Sequence, residues 1–415
     1  MNRLLINKRA STEQVVFVQG NVVKNFWFHN LNKPLFVGSI YKAKVSRVVK
    51  SIRSAFVDFG MDNPGFLYEK DVQEIRANKN LNKECLIENV LAPGDNLIVQ
   101  VRKAPIGNKA MRLSTHITLA GAYLVFIPEA LTDEVKFSRK FADEEKKTKL
   151  INWFKELNLN SSVIFRTAAE FASIKDLQKD LLHLKNSWES LKKDISSKKV
   201  GSCLLQARHT ETYLRDLLVH NIDEIIVNDK DSYNNINLIL KDSFSFLKSN
   251  LKLQVTDNLF SDAGITKQIQ QLFKKTVWLK SGAYLVIEET EMGVSIDVNT
   301  GKNTNSNHNP EEFVFQINKE AATEAVSQIM LRSCGGLIFI DFIDMDLEEH
   351  KLQLLEHLQK LFKADQSYTR CYPVSDLGIV EISRKRTGPS LLSRASNKCT
   401  NCNGDGNLLK EDFIY

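Results

Sequence analysis

Apolar and polar positions alternate at a period of two from the start of the chain. In LLINKRASTEQVVFVQGNVVKNFWFHN this predicts two or three short strands before a turn at Lys33-Pro34. Between Phe36 and Leu119 the strand-like runs GSIYKAKVSRVV, SAFVDFG, GFLYEK, NLIVQVRK and MRLSTHITL recur with Gly, Pro, Asp and Asn between them, so five strands fit a small barrel. After Ala120 come the strand fragments YLVFIP and SSVIFRT and then a charged helical stretch. Its Leu177, Leu181, Leu184, Trp188, Leu191 and Ile195 recur at alternating fours and threes, an apolar face over about three heptads whose simplest use is packing. SSKKVG reads as a linker.

Residues 201–278 mix helix (ETYLRDLLVH), strand (DEIIVND) and helix (NNINLILKDSFSFLKS), an α/β pattern. The last third repeats it with stronger strands, AYLVIEE, GVSIDVNT, GLIFIDFI and LGIVEIS, separated by helices at 311–333 and 348–364. This third is the expected catalytic domain. Neither a solenoid repeat nor a Walker-type loop is present.

Composition adds bounds. A chain of 415 residues, 43% hydrophobic and 26% charged, is ordinary globular material. Fifty-six basic against 50 acidic side chains leave a formal charge of +6, which permits a polyanionic partner without demanding one. No run is long and apolar enough for a membrane span, and the first residues lack the pattern of a signal peptide. Cys85, Cys203, Cys334 and Cys371 are scattered singly, which suits a reducing compartment. Sixteen arginines against 40 lysines match an AT-rich genome, that of an organelle or a reduced bacterium.

Candidate chemistry lies at strand ends. Asp297, with Asn299 two residues on, ends GVSIDVNTG, and Asp341, with Asp344 three residues on, ends LIFIDFIDM. Alternation puts Leu337, Phe339 and Asp341 on one face, so the Asp341 carboxylate is expected near buried surface, where an unpaired charge is costly and Mg²⁺ would resolve it. Capping of a loop or helix is the competing use of each aspartate. Phe56 points away from the face shared by Ala55, Val57 and Phe59, and Phe66 follows on the next strand. With Lys42, Lys44, Lys109 and Arg112 nearby, the two rings would stack bases and hold phosphates, core packing or a protein contact being the alternative. Arg384-Lys385-Arg386 is either a phosphate contact or a solvated turn. Cys399 and Cys402, in KCTNCNGDGN, form half a zinc site, so a shared Cys₄ zinc would need a second chain; redox chemistry is the alternative.

Taken in order, FVGSIYKAKVSRVV, GNKAMRLSTHITLAGAYLVFIP, FRTAAE, SGAYLVIEETEMGVSIDVNTG, EAATEAVSQIMLRSCGGLIFIDFIDM, LGIVEISRKR and CTNCNGDG closely resemble the catalytic half of the ribonuclease E/G family. The resemblance implies a multidomain α/β fold with an inserted S1-like OB-fold barrel. Its parts would be a split RNase H-like subdomain (1–35 and 214–278), the OB barrel (36–119), a 5′-end sensor (120–213), a DNase I-like catalytic subdomain (279–393), a zinc-link (394–407) and a short tail (408–415). The implied activity is Mg²⁺-dependent endonucleolytic cleavage of single-stranded, A/U-rich RNA in processing and decay, leaving 5′-phosphate and 3′-hydroxyl ends. The family's metal ligands fall on Asp297 and Asp341, its supporting amide on Asn299, its stacking aromatics on Phe56 and Phe66, and its zinc-link on Cys399 and Cys402. A preference for 5′-monophosphorylated RNA would rest on Arg166 and Thr167.

The chain departs from the family pattern in places. Lys136 stands where a glycine is usual, Tyr368 stands where a basic residue is usual with Arg370 nearby, and the zinc-link reads Cys-Thr-Asn-Cys. The chain ends nine residues after Gly406, so the small dimerisation domain and scaffold tail of larger members are expected to be absent. A homodimer is expected, a higher oligomer being the alternative. The resemblance is nearest to the cyanobacterial and plastid branch, which places the protein in the plastid stroma, or otherwise in a bacterial cytoplasm. The rival reading is a non-catalytic S1-type RNA-binding protein with a structural zinc interface.

Overall fold

The structure, a computed structural model, describes residues 1–32, 37–75, 86–103, 110–130, 133–301, 310–365, 367–375, 377–397 and 399–402. Cys85, Lys109, Gly404 and Gly406 lie outside the described residues. The chain forms two compact units, one of residues 3–30 with 256 onward and one of residues 31–255. The first strands, β1 (Asn2–Arg9), β2 (Thr12–Gln19) and β3 (Val22–Asn30), lie side by side in that order, β2 and β3 antiparallel.

In the second unit, β4 (Ile40–Val49), β5 (Ser54–Asp58), β6 (Gly65–Tyr68), β7 (Asn96–Lys103) and β8 (Arg112–Ser114) follow the order β4-β5-β6-β8-β7. β7 pairs back onto β4, which closes a five-stranded, OB-like barrel. Closure leaves few unpaired edges, and Val45, Val57, Phe59, Leu67 and Leu113 fill the interior.

A four-stranded sheet follows, from β9 (Leu119–Ala120), β10 (Leu124–Pro128), β11 (Val135–Phe137) and β12 (Ser161–Phe165), in the order β11-β12-β10-β9, with α1 (Glu144–Glu156) before β12. α2 (Ile174–Ser197) starts where Ser173 accepts the Asp176 N–H, and the predicted stripe is its buried face, with Ile195 partly buried at the end. Asp180 interrupts that stripe. Its carboxylate accepts the N–H groups of Ala122, Tyr123 and Leu124 at 2.9, 2.8 and 3.1 Å. A Cβ on Gly121 would sit 2.3 Å from the same carboxylate, so glycine is what allows this approach.

SSKKVG is not a free linker. Gly60 (φ +86°) and Gly201 (φ +87°) pack backbone to backbone, and the Gly201 N–H donates to the Lys42 carbonyl at 2.7 Å. β13 (Cys203–Leu205) then pairs with β4 as a sixth strand beside the barrel. Beyond it come α3 (His209–Leu217), β14 (Glu224–Val227), α4 (Lys230–Ser243) and β15 (Leu251–Leu253), in which α4 connects the parallel pair β14–β15.

The remaining sheet, in the first unit, carries the two strand-end aspartates. β16 (Thr276–Trp278), β17 (Tyr284–Glu289), β18 (Gly293–Asn299), β19 (Gly336–Asp341), β20 (Thr369–Val374) and β21 (Ile379–Arg384) take the order β16-β17-β18-β19-β21-β20. α5 (Pro310–Leu331) crosses between the parallel strands β18 and β19, and α6 (Glu348–Phe362) follows β19. Ala321 and Ala325 of α5 and Leu354 and Leu358 of α6 are buried with Ile296, Ile338, Ile340 and Val380 in one core. Arg384 is buried too, bonded to Asp365 through Nε and Nη2 at 2.7 and 2.9 Å. Burial alone would raise the Asp365 pKa, but this guanidinium holds it below the usual range. Arg386 Nε donates to the Gly335 carbonyl at 2.9 Å, so two of the three cations of the Arg384-Lys385-Arg386 run are tied to the fold. No helix among the described residues is long and apolar enough to cross a membrane.

Candidate active site

β18 and β19 run parallel with Asp297 opposite Asp341 in register. Along β18, Val294, Ile296 and Val298 are buried while Ser295 and Asp297 are exposed and Asn299 is half-buried. Along β19, Ile338 and Ile340 are buried while Leu337 and Asp341 are exposed. Strand alternation therefore sends both carboxylates out from one face, on strands about 4.8 Å apart. Asn299 Nδ2 donates to Asp297 Oδ2 at 2.7 Å, which orients that carboxylate.

Asp341 shares its face with Leu337 and Phe339 as alternation requires, but the expected burial is wrong. This is the open face, with Leu337 46% exposed, because α5 and α6 cover the other one. Desolvation therefore gives no reason for a metal here. Like charges directly opposite on neighbouring strands do, since they repel unless a cation lies between them. Two carboxylates supply hard oxygen donors, and no group of three or more His, Cys, Asp or Glu suited to a metal occurs among the described residues. The donor set fits Mg²⁺, which commonly takes one or two carboxylates and completes its shell from water and substrate phosphate.

The loop after Asp341 is held from α5. Asn318, fully buried, donates through Nδ2 to the Ile343 carbonyl at 2.7 Å and accepts the Ile343 N–H at 3.1 Å. Glu311 accepts the N–H groups of Leu347 and Asp346 at 3.1 Å each, and these bonds, with His350 beside them, lower its pKa. The His350 ring stacks on Phe315. Asp344 is exposed, and its Oδ1 lies 3.2 Å from where a Cβ on Gly378 would be. Sequence reading missed Asn318, although it stands on the apolar face of α5 with Ala321, Ala322 and Ala325, where a polar residue needs a partner.

On the barrel, Phe56 and Phe66 are cross-strand partners with ring centroids 5.8 Å apart, edge to face, and both are half-exposed. Arg47 was missed. Its guanidinium carbon lies 4.6 Å from the Phe56 ring centroid, because β4 bulges between Val45 and Arg47 and turns Arg47 to the Phe56 side. Arg112 lies opposite Phe66 and bonds Asp71 Oδ2 through Nε at 2.6 Å. Lys42 is not available to phosphate. Its Nζ donates to the carbonyls of Ile195 and Lys198 at 2.7 and 2.8 Å, at the C-terminus of α2.

Arg166 follows β12, and its N–H donates to the Tyr123 carbonyl. Its guanidinium lies 3.6 Å from Asp216 Oδ1. Burial pushes the Arg166 pKa down and the Asp216 pKa up, each shift opposed by the partner's charge. Thr167 Oγ1 is 2.8 Å from Ser138 Oγ, and Lys136 pairs with Glu134. The two sensor candidates are thus adjacent, with Arg166 already engaged. Cys399 is exposed and Cys402 half-buried. The Cys402 and Asn401 N–H groups, then the Cys402 thiol, lower the Cys399 pKa, which favours the thiolate that zinc requires.

The model of the ribonuclease E/G family matches residues 118–387. Ribonuclease G of Haemophilus influenzae is 32% identical over 98% of this chain and 84% of its own length, and ribonuclease G of Escherichia coli strain K12 gives the same figures. Ribonuclease E of the same strain is 32% identical over 100% of this chain but only 40% of its own length.

Replacing Asn318 by Leu would leave both backbone groups of Ile343 without partners. The expected loss is about 2–4 kcal/mol of stability, with faster amide exchange at Ile343. Thermal unfolding and hydrogen exchange check this; wild-type values in both would show that the clamp is idle.

Proposed function

The chain belongs to the ribonuclease E/G family, and from that premise we propose that it is a Mg²⁺-dependent endonuclease of single-stranded RNA whose metal is held by Asp297 and Asp341. As a family member it is an endoribonuclease of RNA processing. The observation that carries the finer reading is the register of β18 and β19, with two exposed carboxylates side by side on a face open to a strand of RNA. When bound, Mg²⁺ would supply charge stabilisation at the phosphodiester and make a nearby water acidic enough to attack. Asn299 keeps Asp297 turned for this task, and Asn318 and Glu311 hold the segment after Asp341. Attack on phosphorus with cleavage of the P–O3′ bond leaves a 5′-phosphate and a 3′-hydroxyl. Asp344 is a supporting carboxylate. Phe56 and Phe66 offer stacking faces to bases, with Arg47 and Arg112 for phosphates.

Three finer features belong to the same proposal. Arg166 and Thr167 receive a 5′-terminal phosphate, which must displace Asp216 from the guanidinium. Cys399 and Cys402 bind zinc together with the same pair of a second copy, giving a homodimer. The location proposed is the plastid stroma, on the lysine-rich composition and the resemblance to the plastid branch, a bacterial cytoplasm being the alternative.

Asp297→Asn and Asp341→Asn are expected to lower turnover on the order of a hundredfold or more, with RNA affinity little changed. EDTA should abolish wild-type cleavage. Normal rates in either variant, or in EDTA, would refute the metal reading. Arg166→Ala should cut 5′-monophosphorylated and 5′-hydroxyl RNA at equal rates, and a wild-type protein without any preference would remove the sensor from the proposal. Cys399→Ser combined with Cys402→Ser should convert dimer to monomer in light scattering. Metal analysis should give one zinc per two wild-type chains, and a metal-free dimer would contradict the shared site.

A further inference from the structure

The open face of the six-stranded sheet carries an aromatic pair that the proposed chemistry does not use. Trp278 on β16 lies opposite Tyr284 on β17, and Tyr284 lies opposite Asn299 on β18. The next row of the same face contains Thr276, Val286, Asp297 and Asp341. The two rings therefore stand one same-face step from the carboxylates. Ideal strand spacing puts the Tyr284 Cα about 8 Å, and the Trp278 Cα about 12 Å, from that of Asp297.

Trp278 does little for the core. It is 63% exposed, whereas its neighbour Val277 is 2% exposed and packs inward. Its ring lies against that of Tyr284, with centroids 4.9 Å apart and planes at 48°. A tilted pair of this kind leaves one indole face open. The turn that joins β16 to β17 is braced against the end of β18: a Cβ on Gly301 would fall 2.3 Å from the Gly282 carbonyl, so the pair keeps its position relative to Asn299.

Past Asp297 towards the start of β18, Glu288 stands on the same face and is paired with Lys275. The opposite end has Trp278 and, two residues on, the exposed Lys280.

We infer that Trp278 and Tyr284 form a stacking subsite for one base of the RNA strand whose neighbouring phosphate lies at Asp297 and Asp341. The inference rests on the proposed reading of that carboxylate pair. Stacking on an indole accepts any base, so the subsite positions the strand and does not select sequence.

The test uses the full-length protein, a short single-stranded RNA, and the same RNA with one abasic nucleotide moved along it. Trp278→Ala should lose roughly tenfold in kcat/KM on the intact RNA, mostly through KM, and Trp278→Phe should retain most of it. At one abasic position the wild type should fall to the level of Trp278→Ala, and the variant should lose nothing further. In the Asp297→Asn background, RNA should quench tryptophan emission, and adding Trp278→Phe should remove that change. Wild-type kinetics in Trp278→Ala, or an abasic penalty equal in both proteins at every position, would overturn the subsite. Should Asp297→Asn and Asp341→Asn be inactive while Trp278→Ala is normal, only the subsite fails. Should the aspartate variants cleave normally, the carboxylate reading fails first and takes the subsite with it.

Discussion

Parallel pairing of β18 with β19 is the constraint on which the first unit turns. Parallel strands cannot be joined by a hairpin, so the chain must cross over, and α5 makes that crossing. Having crossed, it must bury its apolar side against the sheet. With α6 beside it, α5 covers Ile296, Ile338 and Ile340, and everything of opposite parity is left facing outward. Asp297 and Asp341 are side by side and exposed for that reason. The arrangement is electrostatically unfavourable in isolation, and the Asn299 amide relieves only part of it through its bond to Asp297.

Other charges of the molecule are committed to the fold. Asp180 is satisfied by three backbone N–H groups, Lys42 by two carbonyls at the end of α2, and Arg384 by Asp365. Breaking any one of them would leave polar groups without partners. Asp297 and Asp341 have no such anchoring among several partners, and their exposure keeps their oxygens open to a cation or a substrate. Arg166 lies between these classes. Its bond to Asp216 is long, at 3.6 Å, and a phosphate carrying more charge than a carboxylate can compete for the guanidinium.

The barrel shows how a small irregularity can shape a surface. Strict alternation along β4 would give Lys42, Lys44 and Ser46 one face. The bulge after Val45 instead leaves Ser46 and Arg47 both exposed and sets Arg47 over Phe56. A cation thus stands beside an aromatic edge-to-face pair, and the bulge sets it there with one residue.

Much was legible in the order of residues. The stripe of α2, the five barrel strands, the crossing of α5 between two acidic strand ends and the outward set of Phe56 all follow from periodicity, a local property that neighbouring residues decide among themselves. Tertiary structure decided what periodicity leaves open. Parity puts Leu337, Phe339 and Asp341 on one face, but only the docking of α5 and α6 made that face the open one. A lysine in a strand looks free until Lys42 is seen at the end of a helix more than 150 residues away in sequence. Arg47 depended on a bulge, and Trp278 on two strand pairings that bring it to the row beside Asp297. The docking of α5 and α6 and the bonds of Lys42 are contacts between segments distant in the chain, while the bulge and the strand pairings are set between neighbouring strands; all of them are chosen by burial and hydrogen bonding across the unit, not by the residues on either side.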